Sequence, residues 1–459
     1  MFLIYKIIMY KKSLIIYLFF IVSVFGQEKK WTLKDCIEHA VKNNISIQQS
    51  ALDSQTADIN YKAAIGDFMP NVNASASHSW NIGLNQNITT GLLENQTTQF
   101  TSAGINANVP IYSGLQNQNR LSRARLTQTL SQLQLAKMKD DIALNIANAY
   151  LQILYNKENL KVQKEQLAND EKQYTKIDET VKAGSLPKGD LLDAKATVAN
   201  DKQKIVNAEN TLFLSKIALA QLLQLDDYKN FDIAEADYAV QNYSVMQEAP
   251  ETIIDKAKQQ RVELKIAQAN VDIAQKDIKI AQGALQPSLT GFYSFSARAT
   301  YSDRIVIENG MPVVAGPLPF FDQLSQYKGH NFGVQLNIPI FNGFASKYAV
   351  DRAKIAAKRS QNNLTLAQQE LEKNVYTAVS NAKGAYNNYL ATQASLDARK
   401  EAFNYAKEKF AVGMMNSFDY SQAQTLFVNA QSNFLNAKYD YIFKVKIVEF
   451  YYGLPLTIN

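Results

Sequence analysis

The chain has 459 residues, one cysteine, three histidines and a formal charge of +6 at pH 7. A single cysteine excludes an intrachain disulfide, and so few cysteines and histidines leave little material for a zinc site or a histidine-based catalytic site. The small, evenly spread positive charge does not indicate nucleic-acid binding. Glycine (18) and proline (10) are scarce, so we expect few and long secondary-structure elements.

Residues 1–26 have the features of a secretory signal peptide. Lys6, Lys11 and Lys12 precede a run at residues 14–25 that is apolar except for Ser23. The run is shorter than the roughly 20 apolar residues that span a bilayer, which disfavours the alternative of a membrane-anchor helix. We predict that residues 1–26 are removed on export, and the loss of three lysines then lowers the charge from +6 to +3.

The rest of the chain contains one pattern twice. Residues 109–114 read Val-Pro-Ile-Tyr-Ser-Gly, and residues 338–343, which lie 229 positions later, read Ile-Pro-Ile-Phe-Asn-Gly. The unit is too long for a solenoid module, so we predict two copies of one structural half, at 27–225 and 261–459. A linker region at 226–260 separates them. The aspartates that interrupt its helical pattern are Asp226, Asp227, Asp232 and Asp237.

The first half begins with predicted helices over 32–66, followed by strands at 70–82 and 100–110. In the first strand Val72, Ala74 and Ala76 alternate with polar residues. This period of two is the pattern of a membrane β-barrel strand, although a half-buried hairpin of a soluble sheet would look similar. Residues 83–99 are rich in Asn, Thr and Gly, and we predict a long surface loop there.

A long helix is predicted over 115–183, which contains no proline or glycine. It would extend on the order of 100 Å at about 1.5 Å per residue. Apolar residues such as Ile142, Ile146 and Ile153 recur at helical spacing. A return helix is predicted at 190–225. The helices alone would fit a coiled-coil adaptor or cytoskeletal protein equally well.

The second half repeats this order. We predict a helix at 262–283, strands at 287–301 and 330–340, a long helix at 344–412 and a return helix at 419–452. The strands are separated by a predicted surface loop at 302–329 with three prolines. The apolar face of the second long helix includes Leu371, Val375, Ala378 and Ala382.

Two kinds of turn stand out. At the strand-to-helix turns, Pro110 and Pro339 should end the strand ladder because proline lacks an amide donor, and Gly114 and Gly343 should relax the backbone. At the hairpin ends, we predict Gly184 and Gly413 as helix C-caps and Asp190 and Asp419 as N-caps. Met414, Met415 and Phe418 should be exposed there and are candidates for docking a partner.

Four strands cannot close a membrane barrel, since known single-chain barrels use about eight or more. An open edge in lipid would leave unpaired backbone groups at a cost of several kcal/mol each. We therefore expect several chains to pool their strands, and three chains would give twelve. The predicted fold class is mainly α with membrane β.

The chain resembles the TolC-type outer-membrane efflux proteins. The residues that carry this resemblance are Trp31 to Ile37 with Ala40, Asn43 and Asn44, the paired Pro-x-aromatic-x-Gly turns, Ala149-Tyr150-Leu151, and the Gly-then-Asp pattern at both hairpin ends. The resemblance implies a homotrimer with a twelve-stranded β-barrel in outer-membrane lipid, an α-helical barrel crossing the periplasm, and an equatorial region at 27–44 and 226–260. It also implies that the hairpin ends meet a periplasmic adaptor. The tip residues concerned are Gly184, Ser185, Leu186, Asp190, Gly413, Met414, Met415, Phe418 and Asp419.

One feature of the family does not carry over. Some members place acidic residues in the second long helix about two turns before its tip, but residues 403–406 here read Phe-Asn-Tyr-Ala. Asp178, Asp397 and Glu401 are the candidate pore-lining acids instead, and cation selectivity is not predicted.

The predicted function is a passive outer-membrane exit duct that works with an adaptor and an inner-membrane transporter in tripartite efflux. The alternatives are the duct of a type I protein secretion system and an envelope coiled-coil protein that is not a channel. We expect no enzyme activity, since the sequence offers no Gly-rich phosphate loop and only His39, His78 and His330 for a triad. We likewise expect no cofactor, no metal site and no nucleic-acid partner.

Overall fold

The structure is a computed structural model that describes residues 30–86, 91–234, 240 and 243–454. The predicted signal peptide and Asp237 lie outside the described residues. The chain divides into two compact units. The helical unit comprises the described residues within Met1–Leu52, Leu133–Lys265 and Leu366–Asn459, and the sheet unit comprises those within Asp53–Gln132 and Ile266–Thr365.

Most described residues are helical, which confirms the predicted fold class. The helices are α1 Leu33–Asn43, α2 Ile45–Gly66, α3 Gln116–Lys182, α4 Lys188–Leu223, a 3-10 helix Ser244–Gln247, α5 Pro250–Gln260, α6 Val262–Gly283, α7 Phe320–Gln326, α8 Ala345–Ala411 and α9 Ser417–Tyr452. The strands are β1 Asn71–Gln86, β2 Leu93–Ser113, β3 Ser288–Thr300, β4 Arg304–Glu308, β5 Met311–Ala315 and β6 Lys328–Asn337. No helix in the described part of the chain is both long enough and apolar enough to cross a membrane.

The described residues of the helical unit form two hydrophobic cores, and α9 contributes to both. The first core packs α1, α3 and α4 together around fully buried Ile146, Tyr150 and Ile153. The second core packs α5, α8 and α9 around Val375 and Ala382. Ile146 and Ile153, like Val375 and Ala382, lie on the apolar faces that the helical spacing predicts. Small residues such as Ala378, Ala382 and Ala385 let the helix axes approach closely.

The segment between α4 and α5 is tied to the first core. Ile233 forms an isolated parallel β-bridge with Trp31. The Tyr150 hydroxyl donates a hydrogen bond to the Ala234 carbonyl at 3.0 Å. Asp232 pairs with Lys157 at 2.8 Å and with Lys216 at 2.9 Å. Burial alone would raise the pKa of Asp232, but the hydrogen bonds from the two lysines hold it below its usual value. The polar contacts therefore fix an irregular segment that helix packing alone would not hold.

The sheet unit is built on four antiparallel strands in the order β1-β2-β3-β6. Strands β1 and β2 are longer than the sequence predicted, because pairing continues out to Gln86 and Leu93. The expectation of a long loop at 83–99 was therefore wrong for most of its residues. The alternation of apolar and polar residues weakens there, while backbone pairing does not depend on it.

The predicted loop at 302–329 also contains regular structure. Strands β4 and β5 pair as a hairpin, and α7 follows them. The Gln323 side chain of α7 accepts a hydrogen bond from the Thr300 amide at 2.8 Å and donates to the Leu318 carbonyl at 2.7 Å. These contacts fasten the insertion to the end of β3.

Pro110 does not end its strand. It pairs with Thr290, a β-bulge follows, and β2 continues to Ser113 opposite Ser288. The bulge absorbs the missing proline donor, so the ladder resumes beyond it. In the second repeat β6 ends at Asn337, two residues before Pro339.

Candidate functional site

The two hairpin ends of the helical unit have the same backbone geometry. Gly184 and Gly413 adopt left-handed φ angles of 76° and 75°. At the first end, the Ser185 amide donates to the Thr180 carbonyl at 3.0 Å, and at the second the Met414 amide donates to the Lys409 carbonyl at 2.8 Å. This is the Schellman arrangement, in which glycine accepts a conformation that a side chain resists. The sequence places both caps correctly.

Asp190 and Asp419 are not N-caps, which corrects the prediction. The N-caps are Pro187 and Asn416, and each aspartate is the third residue of its helix. The Asn416 side chain accepts from the Asp419 amide and donates to the Asp419 carboxylate, both at 2.8 Å. A carboxylate in the first turn still favours the positive end of the helix dipole. The aspartates thus lie in the first turn of each helix, three residues after the N-cap position.

One hydrogen bond joins the two hairpin ends. The Ser417 hydroxyl donates to Asp190 Oδ1 at 2.6 Å. A cleft of about 390 Å³ lies beside this contact and is lined by residues that include Leu186, Phe410 and Met414. The sequence analysis missed Ser417, and the only signal for it was its position beside the predicted tip. The bond makes Asp190 the residue that connects the two halves at this end.

Apolar side chains project from the second hairpin end. Met414 is 77% exposed, and Phe418 and Val412 are similarly open. Met415 differs from the prediction, because it is half-buried against the cleft. Val412 was not predicted, although an apolar residue directly before the capping glycine could have drawn attention to it. This end therefore presents an apolar surface, which we call the tip patch and define as Val412, Met414 and Phe418.

The candidate pore-lining acids do not form one cluster. Asp178 pairs with Lys182 of its own helix at 2.6 Å. Asp397 and Glu401 are exposed on α8. Among the described residues, no group of three or more metal-ligating side chains comes together. These three acids thus remain separate positions on two helices.

The strand-to-helix turns in the sheet unit share their backbone but not their surroundings. Gly114 and Leu115 have φ angles of 60° and 61°, and Gly343 and Phe344 have 64° and 63°. The first turn lies against the end of α6, where a methyl group on Gly114 would overlap the Gly283 carbonyl. The Tyr112 hydroxyl also donates to Gln286 there at 2.5 Å.

The second turn is uncovered in the chain. Ile340 is 94% exposed and Phe341 is largely exposed. A methyl group on Gly343 would meet no heavy atom of the described residues within 4 Å. The two copies of the motif therefore differ in their surroundings: the end of α6 covers the first turn, whereas the second turn is open.

Comparison with known proteins identifies the family. The family model described as outer membrane efflux protein matches residues 36–224 and 253–445, one segment in each repeat. The chain belongs to this family. The match confirms the resemblance that the duplicated motifs indicate, and it places the protein in the outer membrane, as predicted.

The sequence is similar to that of outer-membrane proteins over most of the length of both chains. Outer membrane protein TolC of Vibrio cholerae is 25% identical over 367 residues, which cover 78% of this chain and 79% of that protein. Cation efflux system protein CusC of Escherichia coli is 21% identical over 403 residues, covering 87% of this chain and 82% of its own.

Solved structures show the same fold. A structure of CusC superimposes with a TM-score of 0.77 at 19% identity and 92% coverage of both chains. The Campylobacter jejuni CmeC outer membrane channel also gives 0.77 at 19% identity, with 92% of this chain and 85% of that chain covered. The long paired helices and the small sheet are therefore features of outer-membrane efflux channels.

Proposed function

We propose that this protein is the homotrimeric exit duct of a tripartite efflux system, which conducts solutes passively from an inner-membrane transporter and a periplasmic adaptor to the outside. Family membership supports the efflux role. The observation that carries the proposal is the four-stranded sheet, which has two unpaired edge strands, β1 and β6, in each chain.

The sheet cannot stand alone in lipid. Its edges would leave backbone donors and acceptors unpaired, and each of these costs several kcal/mol without water. Apolar side chains such as Val72, Ile82 and Leu336 are exposed on its strands, as a lipid-facing surface requires. Three copies would supply twelve strands and leave no edge.

The internal repeat predicts how neighbouring copies pair. Strand β2 corresponds to β6 with a shift of 229 residues, and β3 corresponds to β1 with a shift of 217, which also relates Gly283 to Gly66. Within the chain, Ala107 pairs with Tyr293. The equivalent pair between copies is Leu336 (107 plus 229) with Ala76 (293 minus 217).

The same mapping covers the open turn. Tyr112 and Gln286, which form a polar contact inside the chain, correspond to Phe341 and Met69. Both of these residues are exposed and apolar. A polar pair within the chain is thus matched by an apolar pair between chains, and a ring whose copies join head to tail buries it. We call this contact the intersubunit seam.

A disulfide experiment tests the homotrimer. Leu336→Cys combined with Ala76→Cys, in a Cys36→Ser background, should cross-link neighbouring copies on oxidation. The control is Leu336→Cys with Trp80→Cys, since four residues along the strand displace the sulfur partner by roughly 13 Å, beyond disulfide reach. Equal cross-linking of both pairs, or a monomer that is soluble without detergent, would exclude this arrangement.

The tip patch is the proposed docking surface for the adaptor. Apolar residues at a turn have no internal core to fill, and an exposed cluster of them indicates a partner. Replacing Val412, Met414 and Phe418 together by Gln should impair export of efflux substrates while trimers still assemble. Leucine at the same three positions is the control that keeps apolar character. Normal export by the glutamine variant would reject the docking role.

We further propose that the Ser417–Asp190 contact belongs to a closed state of the mouth, which opens by a shift between two helix packings. Asp190→Cys with Ser417→Cys should lock the two hairpin ends of one chain and block flux until reductant is added. A locked channel that conducts as well as the reduced one would contradict this gating.

A type I protein secretion duct would use the same body. Two assays in a deletion strain separate the functions: cellular retention of small efflux substrates, and loss of polypeptides from the culture medium. We expect the first and not the second. Family membership and the four-stranded sheet speak against a coiled-coil protein without a channel.

A further inference from the structure

Two buried carboxyl groups lie on α3 and α4, the two helices that meet at the first hairpin end. Asp170 on α3 is 5% exposed and Asp201 on α4 is 2% exposed. Asp170 comes 14 residues before Gly184, roughly 20 Å along the helix. Asp201 raises the pKa of Asp170, both as a hydrogen-bonding partner and as a nearby charge, so the two carboxyl groups face each other. Acidic side chains are seldom fully buried, and the half-exposed Lys204 that pairs with Asp201 supplies one positive charge for two carboxyl groups, so this pair requires an explanation.

The hydrogen bonds around the pair leave one oxygen without a donor. Asp170 accepts from Gln424 Nε2 on α9 at 2.5 Å and from Gln166 Nε2 at 2.6 Å. Asp201 Oδ1 accepts from Lys204 at 2.9 Å, but its Oδ2 is buried and has no donor among the described residues. An ionised carboxylate only accepts hydrogen bonds, so two of them cannot bond each other. One proton between them supplies the missing donor.

The surrounding charged groups do not neutralise both carboxyl groups in place of that proton. On α4, Lys204 pairs with Asp201 at 2.9 Å and has a half-exposed side chain, while Lys202 pairs with Glu171 of α3 at 3.1 Å. On α9, Tyr420 faces Asp170, and burial raises the pKa of its phenol, which keeps it neutral. Burial first, and then the contact with Asp201, raise the pKa of Asp170 to about 7.

The second repeat shows that helix packing does not require these acids. At the 229-residue shift Asp201 corresponds to Ala430, which is also buried, and Asp170 corresponds to Arg399. Alanine therefore fits the equivalent position between helices. The carboxyl pair is an addition to the first repeat only.

We propose that Asp170 and Asp201 form a binding site for a single shared proton, which holds α9 against the first hairpin through Gln424. Loss of the proton leaves two buried negative charges in contact, and their repulsion loosens α9. The pKa of Asp170 lies above its ordinary value of 3.8, so this stabilisation is present in acid and declines as the pH rises from about 4 to about 7. The effect on the mouth rests on the proposed function, whereas proton binding does not.

Infrared difference spectroscopy of the purified trimer tests the site directly. We expect a protonated carboxylic acid band that titrates with a midpoint near 7. Asp170→Asn should abolish it. Asp201→Ala, which restores the residue of the second repeat, should move its midpoint downward, because only burial then raises the pKa of Asp170. Glu171→Gln, which removes a surface charge one position away, should leave it unchanged. A band that survives in Asp170→Asn, or no titrating band in the wild type, would overturn the proposal.

Two further measurements distinguish proton binding by the pair from its effect on opening of the mouth. A midpoint that moves downward with added calcium would assign the pair to a cation and overturn proton sharing. In planar bilayers, we expect wild-type conductance to increase severalfold between pH 5 and pH 8, and Asp170→Asn to lose that dependence. A titrating band with pH-independent conductance would overturn the link to the mouth and leave the proton site standing.

Discussion

The two strand-to-helix turns have nearly the same sequence and the same left-handed backbone, yet only the first is covered by its own chain. Gly114 lies against Gly283, while Gly343 faces open space. A φ near 60° favours glycine in either environment, although Leu115 and Phe344 also adopt it, so the shared sequence alone does not distinguish the two turns. The difference lies in the partner surface, which the repeat supplies once within the chain and once, by our proposal, between chains.

The comparison also explains which positions differ between the copies. Tyr112 and Gln286 bond each other through polar atoms, whereas the corresponding Phe341 and Met69 have none to satisfy. In each pair the two side chains have the same character, polar in Tyr112 and Gln286 and apolar in Phe341 and Met69. Residues that meet across one contact need complementary chemistry, and mixed pairs would bury an unpaired hydroxyl or amide.

The largest expected effect separates the two glycines. Gly114→Ala should cost about 4 kcal/mol or more, because left-handed strain of roughly 1–2 kcal/mol adds to overlap with the Gly283 carbonyl. Gly343→Ala should lower the stability of the folded chain only by that strain. It should also lower the fraction of chains in trimers if Gly66 of a neighbouring copy lies against Gly343. Circular dichroism reports the folded chain, and semi-native gels report the trimer.

Gly384→Ala is the matched control for this pair. Gly384 lies within α8 with open space around it, and alanine there should be neutral or slightly stabilising. Equal loss of folded chain in the Gly114 and Gly343 variants would show that the covered turn has no special role.

A smaller effect tests the seam by exchanging the chemistry of its contact. Phe341→Tyr should bury a hydroxyl without a partner and lower trimer stability by about 1–3 kcal/mol. Adding Met69→Gln should recover part of that loss, since it recreates the pair found at Tyr112. Thermal dissociation of the trimer measures both, in a double-mutant cycle. Additive losses would place Phe341 and Met69 apart from each other.

Much of the fold was predictable because helical spacing and alternation reflect burial directly. The long helices begin and end within a few residues of the predicted bounds, and residues such as Ile146 and Val375 are buried as their spacing indicates. The strand extension to Gln86 was not predictable, because backbone hydrogen bonds there do not need apolar side chains. The bulge after Pro110 was missed for a similar reason, since a local distortion can replace one lost donor.

The functional residues were less predictable than the fold. Glycine caps are visible in sequence because a left-handed residue strongly prefers glycine. The Ser417–Asp190 contact, the half-buried Met415 and the Asp170–Asp201 pair depend on which helices meet and at what height, and residue spacing within one helix does not contain that information. Gln424, for example, is one of many polar residues on α9, and only its position opposite Asp170 distinguishes it.

The smallest expected effect concerns the covered turn itself. Tyr112→Phe removes the hydroxyl that bonds Gln286 and should cost about 1 kcal/mol, more if the amide is then left buried without a partner. Tyr112→Phe with Gln286→Met makes the first turn match the second, and it should recover most of the loss because an aromatic ring and a thioether pack well. Chemical denaturation of the folded chain measures the difference. If the double variant is less stable than Tyr112→Phe alone, the two turns are not equivalent in packing, and the register inferred for the intersubunit seam loses its basis.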